Sequence, residues 1–380
     1  MAKQFSLAQT TTKTNTDRKG KSEKKMTDVK IKKIQGFLED NEAVLITSDE
    51  NRFYLTGFPS SAGTLFITNK KAYFLIDFRY IEVARKKVPF CDVILFAAGG
   101  PTVYSLAKDD GIKRVYVETD RMSVADFAAR KAGFGDILSD SDKLTKYITE
   151  IRAVKEAYEI EAIEKAQKMT DDTFSYILNN IRAGRTERDV MLDMEFYMRK
   201  LGSEGVSFDF IVVSGKNSSL PHGVPSDKVI EEGDFVTMDF GAVADGYHSD
   251  MTRTVAVGHA TDEMIKVYET VRAAQSKAFE VIRPGADCFE VDKAARDLIN
   301  AAGYEGCFGH GLGHGVGVEI HENPNFNMRC HEKLVPGNIM TVEPGIYLEN
   351  KFGVRIEDMV AITDEGFRNL TASERQLIVL

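Results

Sequence analysis

Beyond residue 26 the chain alternates short runs of β-branched and aromatic residues with longer stretches whose apolar positions recur three or four apart. These are the two signatures of strand and helix. AVLIT (43–47) reads as a strand, GTLFIT and AYFLID flank the turn NKK as a hairpin, and VILF (93–96) and RVYVE (114–118) follow as strands. RYIEVARKK and SVADFAARKA read as helices, so an α/β domain is expected over 27–150. From 151 the pattern lengthens: VKEAYEIEAIEKAQKMTDDTFSYILNNI sets Ala157, Ile160, Ile163 and Ala166 at helical spacing and opens a second domain over 151–380.

Inside this second domain the pattern repeats. IRAGRTERDVMLDMEFYMRKLG (181–202) and IRPGADCFEVDKAARDLINAAG (282–303) lie 101 residues apart, with capping residues Thr186 and Asp287, acids three later at Asp189 and Glu290, and a closing glycine. Both predict a helix with a capping box and a Gly stop. Four acids repeat in the same way. Asp239 follows Gly233 by six residues as Glu343 follows Gly337, and Asp250 follows Gly246 by four as Glu357 follows Gly353. The expected fold is α+β, two helix-plus-hairpin halves related by pseudo-twofold symmetry, with FVTMDFGA, MTRTVAVG, NIMTVEPGIY and VRIEDMVAIT as core strands.

Charge and composition narrow the classes. The chain carries a net charge of −9 with 43% hydrophobic residues, and the seven Lys/Arg against two acids in residues 1–26 leave the remainder near −14. Nucleic acid is therefore not an expected partner. Residues 1–26 are Thr/Lys/Ser-rich and read as a disordered basic tail. Only Phe5 and Leu7 precede the basic stretch as large apolar side chains, so a targeting role is disfavoured, and Met26 is an alternative start. Cys91, Cys288, Cys307 and Cys330 form no C-x-x-C pair, which fits a reducing cytoplasm better than a disulfide framework. No apolar run approaches the ~18 residues of a membrane span.

The repeated acids carry the candidate chemistry. Asp239 lies between Met238 and Phe240, and Glu357 follows Val354 and Ile356. A carboxylate in such apolar company costs stability unless it is paired or metal-bound. All seven histidines fall between His222 and His331, so a histidine-containing metal site belongs to the second domain. The run FGHGLGHGVGVEIHENP offers His310, His314 and His321 among glycines that would let backbone approach a ligand closely, and spacing does not separate the three. An oxygen-rich set with one nitrogen favours Mn, Co or Fe and admits Zn. Two such ions would supply what metal-assisted amide hydrolysis requires.

In order, SGKNSSLPHGVPSD, MDFG, YHSDMTRT, HGLGHGVGVEIHE, TVEPGIY and GVRIED resemble the proline-specific pita-bread metallopeptidases, prolidase and aminopeptidase P of peptidase family M24. NRFYLTGF and DFRYIEVARK resemble their creatinase-type N-terminal domain. The resemblance implies two divalent ions per subunit, Mn²⁺ foremost, with Asp239 on one ion, Asp250 and Glu357 bridging, and His314 with Glu343 on the second. It implies His222 and His321 as catalytic histidines that also bind substrate, Glu343 as a proton shuttle, and His310 at the substrate. Arg355 is expected at the substrate-binding side, orienting Glu357 or screening charge, with a plain surface ion pair as the alternative, and His248, His259 and His331 outside catalysis. A proline-containing peptide substrate, a homodimer and Xaa-Pro aminopeptidase activity are implied, with Xaa-Pro dipeptidase as the alternative and a non-catalytic binding protein further off.

Overall fold

The computed structural model describes residues 28–380, so the expected tail over 1–26 lies outside the described residues. The chain divides after Ile148 into two compact units.

The first unit is built on a mixed sheet in the order Asp92–Leu95, Ala72–Ile76, Thr64–Thr68, Glu42–Ile46, Arg114–Val117, Leu138–Ser139. Thr64–Thr68 runs antiparallel to both neighbours, and the other pairings are parallel. Every residue of Glu42–Ile46 is buried, as a central strand requires. The hairpin at NKK closes through the Thr68 N–H donating to the Lys71 carbonyl at 2.8 Å. A helix at Asp49–Thr56 adds to the anticipated elements, and its apolar pattern is obscured because it buries Asn51 and Arg52. Glu118 explains part of that inversion: its carboxylate accepts from the Ser48 N–H at 3.1 Å and from Asn51 Nδ2 at 2.8 Å.

The second unit has two cores. In one, helices Ala157–Ile177 and Glu187–Lys200 pack with strands Ile211–Ser214, Phe235–Phe240 and Met251–Ala256 through Phe174, Val190, Met194, Val212, Val236 and Met238. In the other, helices Asp262–Phe279 and Cys288–Ile299 pack with Ile339–Val342, Phe352–Arg355 and Asp358–Ile362 through Val267, Val271, Val291, Ala295, Met340 and Val360. Val190, Met194 and Met198 recur every four residues, so one stripe of the helix faces its core. Each such side chain contributes roughly 1.5–3 kcal/mol on full burial.

The two repeat helices begin differently. Thr186 and Asp189 form the reciprocal capping box, whereas Asp287 caps Phe289 N–H at 2.9 Å and gives its other oxygen to Lys333 at 2.9 Å. Gly202 and Gly303 close both helices at φ 99° and 91°. No helix among the described residues is long and apolar enough to cross a membrane.

Candidate metal centre

The first hairpin sets Asp239 opposite Thr252 and Phe240 opposite Met251, leaving Asp250 one residue outside the ladder. The second pairs Val342 with Asp358. Glu343 and Glu357 are thus the next residue on each strand, but they do not continue the ladder. The expected long strands are broken there, into Ile339–Val342 and Gly345–Leu348, and into Phe352–Arg355 and Asp358–Ile362. Pro344 has no N–H to contribute to a ladder. The freed backbone finds other partners: Glu343 N–H donates to Leu312 carbonyl at 2.8 Å, and Glu357 N–H to Thr252 carbonyl at 3.0 Å. The Glu357 bond joins the second hairpin to the first.

Gly233, Gly246 and Gly337 occupy left-handed turns, but Gly353 lies inside a strand. An added Cβ there would stand 2.2 Å from the Ser218 carbonyl oxygen. The histidine-rich glycines also serve close packing against protein: a Cβ on Gly313 would meet the Thr341 carbonyl oxygen at 2.1 Å.

These breaks bring the acids together. One ligand atom each of Asp250, His314 and Glu357 lies within 4.8 Å of the others. Glu343 joins through His314, whose Nε2 stands 3.5 Å from both Asp250 Oδ2 and Glu343 Oε1. Asp239 joins through Arg355, which donates to its Oδ2 at 2.5 Å. Arg355, expected at the substrate, is 3% exposed and turned inward. Its other donors reach Thr252 Oγ1 at 3.0 Å, Tyr347 Oη at 2.8 Å and the Pro221 carbonyl at 3.1 Å. Thr252 in turn donates to Glu357 Oε2 at 2.7 Å.

Charge and burial leave this cluster unbalanced. Burial, then the nearby Glu357, Asp239 and Glu343, hold the Asp250 carboxyl well above its usual range. Burial and the charges of Glu343 and Asp239 do the same to Glu357. Burial pushes Glu343 up to about 8 despite Arg355. Desolvation opposes the charge on Arg355, but Tyr347, Asp239 and Glu343 outweigh it and hold its proton more tightly than usual. Asp239 Oδ1, Asp250 Oδ1 and Glu357 Oε1 are buried with no hydrogen-bond partner among the described residues. Orphaned carboxylate oxygens in a cluster where Asp250 and Glu357 gather round one imidazole fit hard or borderline divalent cations.

The tautomer of His314 suits that role. Its Nδ1 lies 3.0 Å from the Gly315 carbonyl, which can only accept, so Nδ1 carries the hydrogen and Nε2 presents its lone pair to the acids. Desolvation lowers its pKa to about 4, keeping the ring neutral at pH 7. His310 follows the same rule: Nδ1 donates to Gly311 carbonyl at 2.8 Å, and Nε2 accepts from Tyr347 Oη at 2.9 Å. Desolvation, then Arg355, hold its pKa at about 4. Tyr347 therefore connects Arg355 to His310. Tyr347 lies within TVEPGIY, and its position four after Glu343 is the one signal in the sequence that points to it.

The remaining histidines stand outside the buried cluster. His321 is exposed, its ring edge-on to that of His314 with centroids 4.4 Å apart. His222 is exposed, and its charge is one of the influences that disfavour a proton on His310. The backbone N–H of His248 donates to the Gly317 carbonyl at 2.9 Å, and its Nδ1 lies 3.3 Å from the same oxygen.

Comparison with known proteins agrees with this architecture. Residues 161–364 match the model of metallopeptidase family M24, and residues 30–154 that of the creatinase/prolidase N-terminal domain. The uncharacterized peptidase YqhT of Bacillus subtilis is 43% identical over 344 residues, covering 89% of this chain and 96% of that protein. The solved Xaa-Pro dipeptidase from Bacillus anthracis superposes with a TM-score of 0.88 at 38% identity, covering 93% of this chain and all of that one (100%). The X-Pro aminopeptidase from Thermotoga maritima gives 0.82 at 36% identity, covering 89% of this chain and 97% of its own. With its buried acid–histidine cluster set between two hairpins and the family's N-terminal domain ahead of it, the chain belongs to metallopeptidase family M24.

Proposed function

We propose that this protein is a dinuclear metal-dependent hydrolase of Xaa-Pro bonds, its catalytic domain over 151–380 and its creatinase-like domain over 27–150. The observation that carries the reading is the approach of ligand atoms of Asp250, His314 and Glu357 to within 4.8 Å of one another, with orphaned oxygens on Asp250, Glu357 and Asp239. Asp239 would hold one ion, Asp250 and Glu357 would bridge, and His314 with Glu343 would complete the second position. Mn²⁺ is the first choice for such a set, with Co²⁺, Fe²⁺ and Zn²⁺ also admitted. When bound, ions of this kind supply Lewis-acid polarisation of a carbonyl and acidify water.

The chain's own residues would do the rest. Glu343 would take a proton from water and return it toward the leaving imino nitrogen. Exposed His222 and His321 would hydrogen-bond the peptide. His310, neutral and held by Tyr347, would line the substrate side. Arg355 would hold Asp239 in place rather than touch the peptide.

The residues themselves do not separate the two activities, and the family resemblance puts the aminopeptidase first only by a slight margin. The higher TM-score to the Bacillus anthracis dipeptidase than to the Thermotoga maritima aminopeptidase moves our proposal to Xaa-Pro dipeptidase. Metal-stripped protein reloaded with Mn²⁺ should cleave Ala-Pro faster than Ala-Pro-Ala, and Ala-Ala hardly at all. Faster cleavage of the tripeptide would return the reading to the aminopeptidase. Silence on every substrate with every divalent ion would leave the binding protein. The four free thiols support a reducing, cytoplasmic setting. A homodimer completes the proposal and is tested by light scattering.

A further inference from the structure

His222 rides on a segment rich in Ser, Gly and Pro, SGKNSSLPHGVPS, whose own composition would leave it loose. One side chain from outside the segment gathers both of its ends. Glu187, the first residue of helix Glu187–Lys200, is 0% exposed. Its Oε1 accepts from the Ser214 N–H at 2.6 Å, Ser214 Oγ at 3.0 Å and Asn217 Nδ2 at 3.1 Å. Its Oε2 accepts from the Ser226 N–H at 3.1 Å and Ser226 Oγ at 2.7 Å. Ser214 stands eight residues before His222 and Ser226 four after it. A single carboxylate thus closes the loop that carries the histidine.

The surrounding bonds point the same way. The Glu187 and Arg188 N–H groups donate to the Lys228 and Ser226 carbonyls, both at 3.1 Å, so the helix start is zipped to the loop's exit. Nearer His222, Gly353 N–H donates to Ser218 Oγ at 2.9 Å, and Arg355 reaches the Pro221 carbonyl at 3.1 Å. A buried anion needs its full set of donors. The Glu187 carboxylate has five, all from this loop, so the loop's order and the satisfaction of Glu187 stand together.

The other half uses a similar device. Asp292, also 0% exposed, lies on the repeat-related helix Cys288–Ile299 and accepts from Leu312 N–H at 2.9 Å. Its partner Arg296 donates to the carbonyls of Phe308 and His310, each at 2.8 Å. Each helix of the pair therefore holds one histidine-bearing loop through a fully buried acid.

We propose that Glu187 is a positioning residue that fixes His222 beside the metal cluster, acting on substrate handling and not on metal content. This rests on the reading that His222 meets the substrate. The test compares Glu187→Gln, Ser226→Ala, His222→Ala and the Glu187→Gln/His222→Ala double variant in Mn²⁺-loaded full-length protein, reading kcat, KM, bound metal and thermal midpoint. Glu187→Gln should keep wild-type metal content and lose about 10- to 100-fold in kcat/KM on Ala-Pro. Ser226→Ala, the milder change should Glu187→Gln not fold, should lose less in the same direction.

The decisive comparison is the double variant, which should be no worse than His222→Ala alone. Losses that multiply, an unaffected Glu187→Gln, or metal lost in step with activity would overturn the inference while leaving His222 in its role. Full turnover in His222→Ala would instead overturn the reading beneath it, and the inference with it.

Discussion

Arg355 donates to Asp239 at 2.5 Å, with the two side chains only 4% and 13% exposed. It is the cation that faces the four acids before any ion binds. Removing one partner of a buried pair leaves the other uncompensated and costs roughly 3–5 kcal/mol. Arg355→Met should therefore lower the urea stability of the metal-free protein by about that amount, and added Mn²⁺ should recover part of it. Equal stability of variant and parent without metal would show that Arg355 carries no such charge compensation.

Asp250 and His222 should fail in different ways. Asp250→Ala removes a buried acid in mutual reach of His314 and Glu357, so metal content and hydrolysis should both disappear. His222→Ala, on an exposed loop, should keep its metal and lose turnover. Mass spectrometry of the native proteins separates them; a His222→Ala protein emptied of metal would place that histidine among the ligands.

Chelation should destabilise the folded protein beyond any loss of activity. A bound cation would give the orphaned oxygens of Asp239, Asp250 and Glu357 a partner. A ligand at one hundred times its Kd stabilises the native state by about 2.7 kcal/mol. Calorimetry should show a midpoint that rises with Mn²⁺ concentration, and a midpoint indifferent to metal would argue against the site.

Acid should act through Glu322. Burial alone would raise its pKa, but Lys155 and Arg152, at 3.0 and 2.5 Å, outweigh burial and bring it to about 2. A carboxyl whose folded pKa is depressed contributes fully above its unfolded value, near 4.5, and loses that contribution as pH falls from there toward 2. The shift corresponds to about 3 kcal/mol at neutral pH. Glu322→Gln should lower stability at pH 7 and flatten its decline between pH 4.5 and 2. Parallel profiles for variant and parent would count against the pairing.

Gly313→Ala should injure the site without touching a ligand. The new methyl would stand 2.1 Å from the Thr341 carbonyl and 2.8 Å from Thr341 Oγ1, the atom that accepts the His314 N–H at 3.0 Å. Overpacking costs typically 1–3 kcal/mol. Guanidinium melts should show a loss of that order, with weaker metal retention as His314 moves. A variant with parental stability would mean the strands part easily.

Much of this was legible because local chemistry and burial agree. The hairpins announce themselves through alternation and turn glycines, the repeat helices through Thr186 and Asp287, and the acids because Asp239 and Glu357 interrupt apolar strands. What escaped depends on partners distant in sequence. The strand breaks at Glu343 and Glu357 follow from bonds to Leu312 and Thr252. Charge screening is among the roles expected of Arg355, but Phe352–Arg355 is buried throughout and nothing local names Asp239 as its partner. Glu187 passes in sequence for an ordinary first-turn acid, and its loop lies some 30 residues away.

The bond from Glu357 N–H to the Thr252 carbonyl has a kinetic side. It closes a separation of 105 residues in sequence, between halves that each have a core of their own. Contacts so distant form late, because loop-closure entropy is lost before they reward it. Here they also bring like charges together. A divalent ion held by acids from both hairpins would therefore tie together two halves that meet only through such distant contacts.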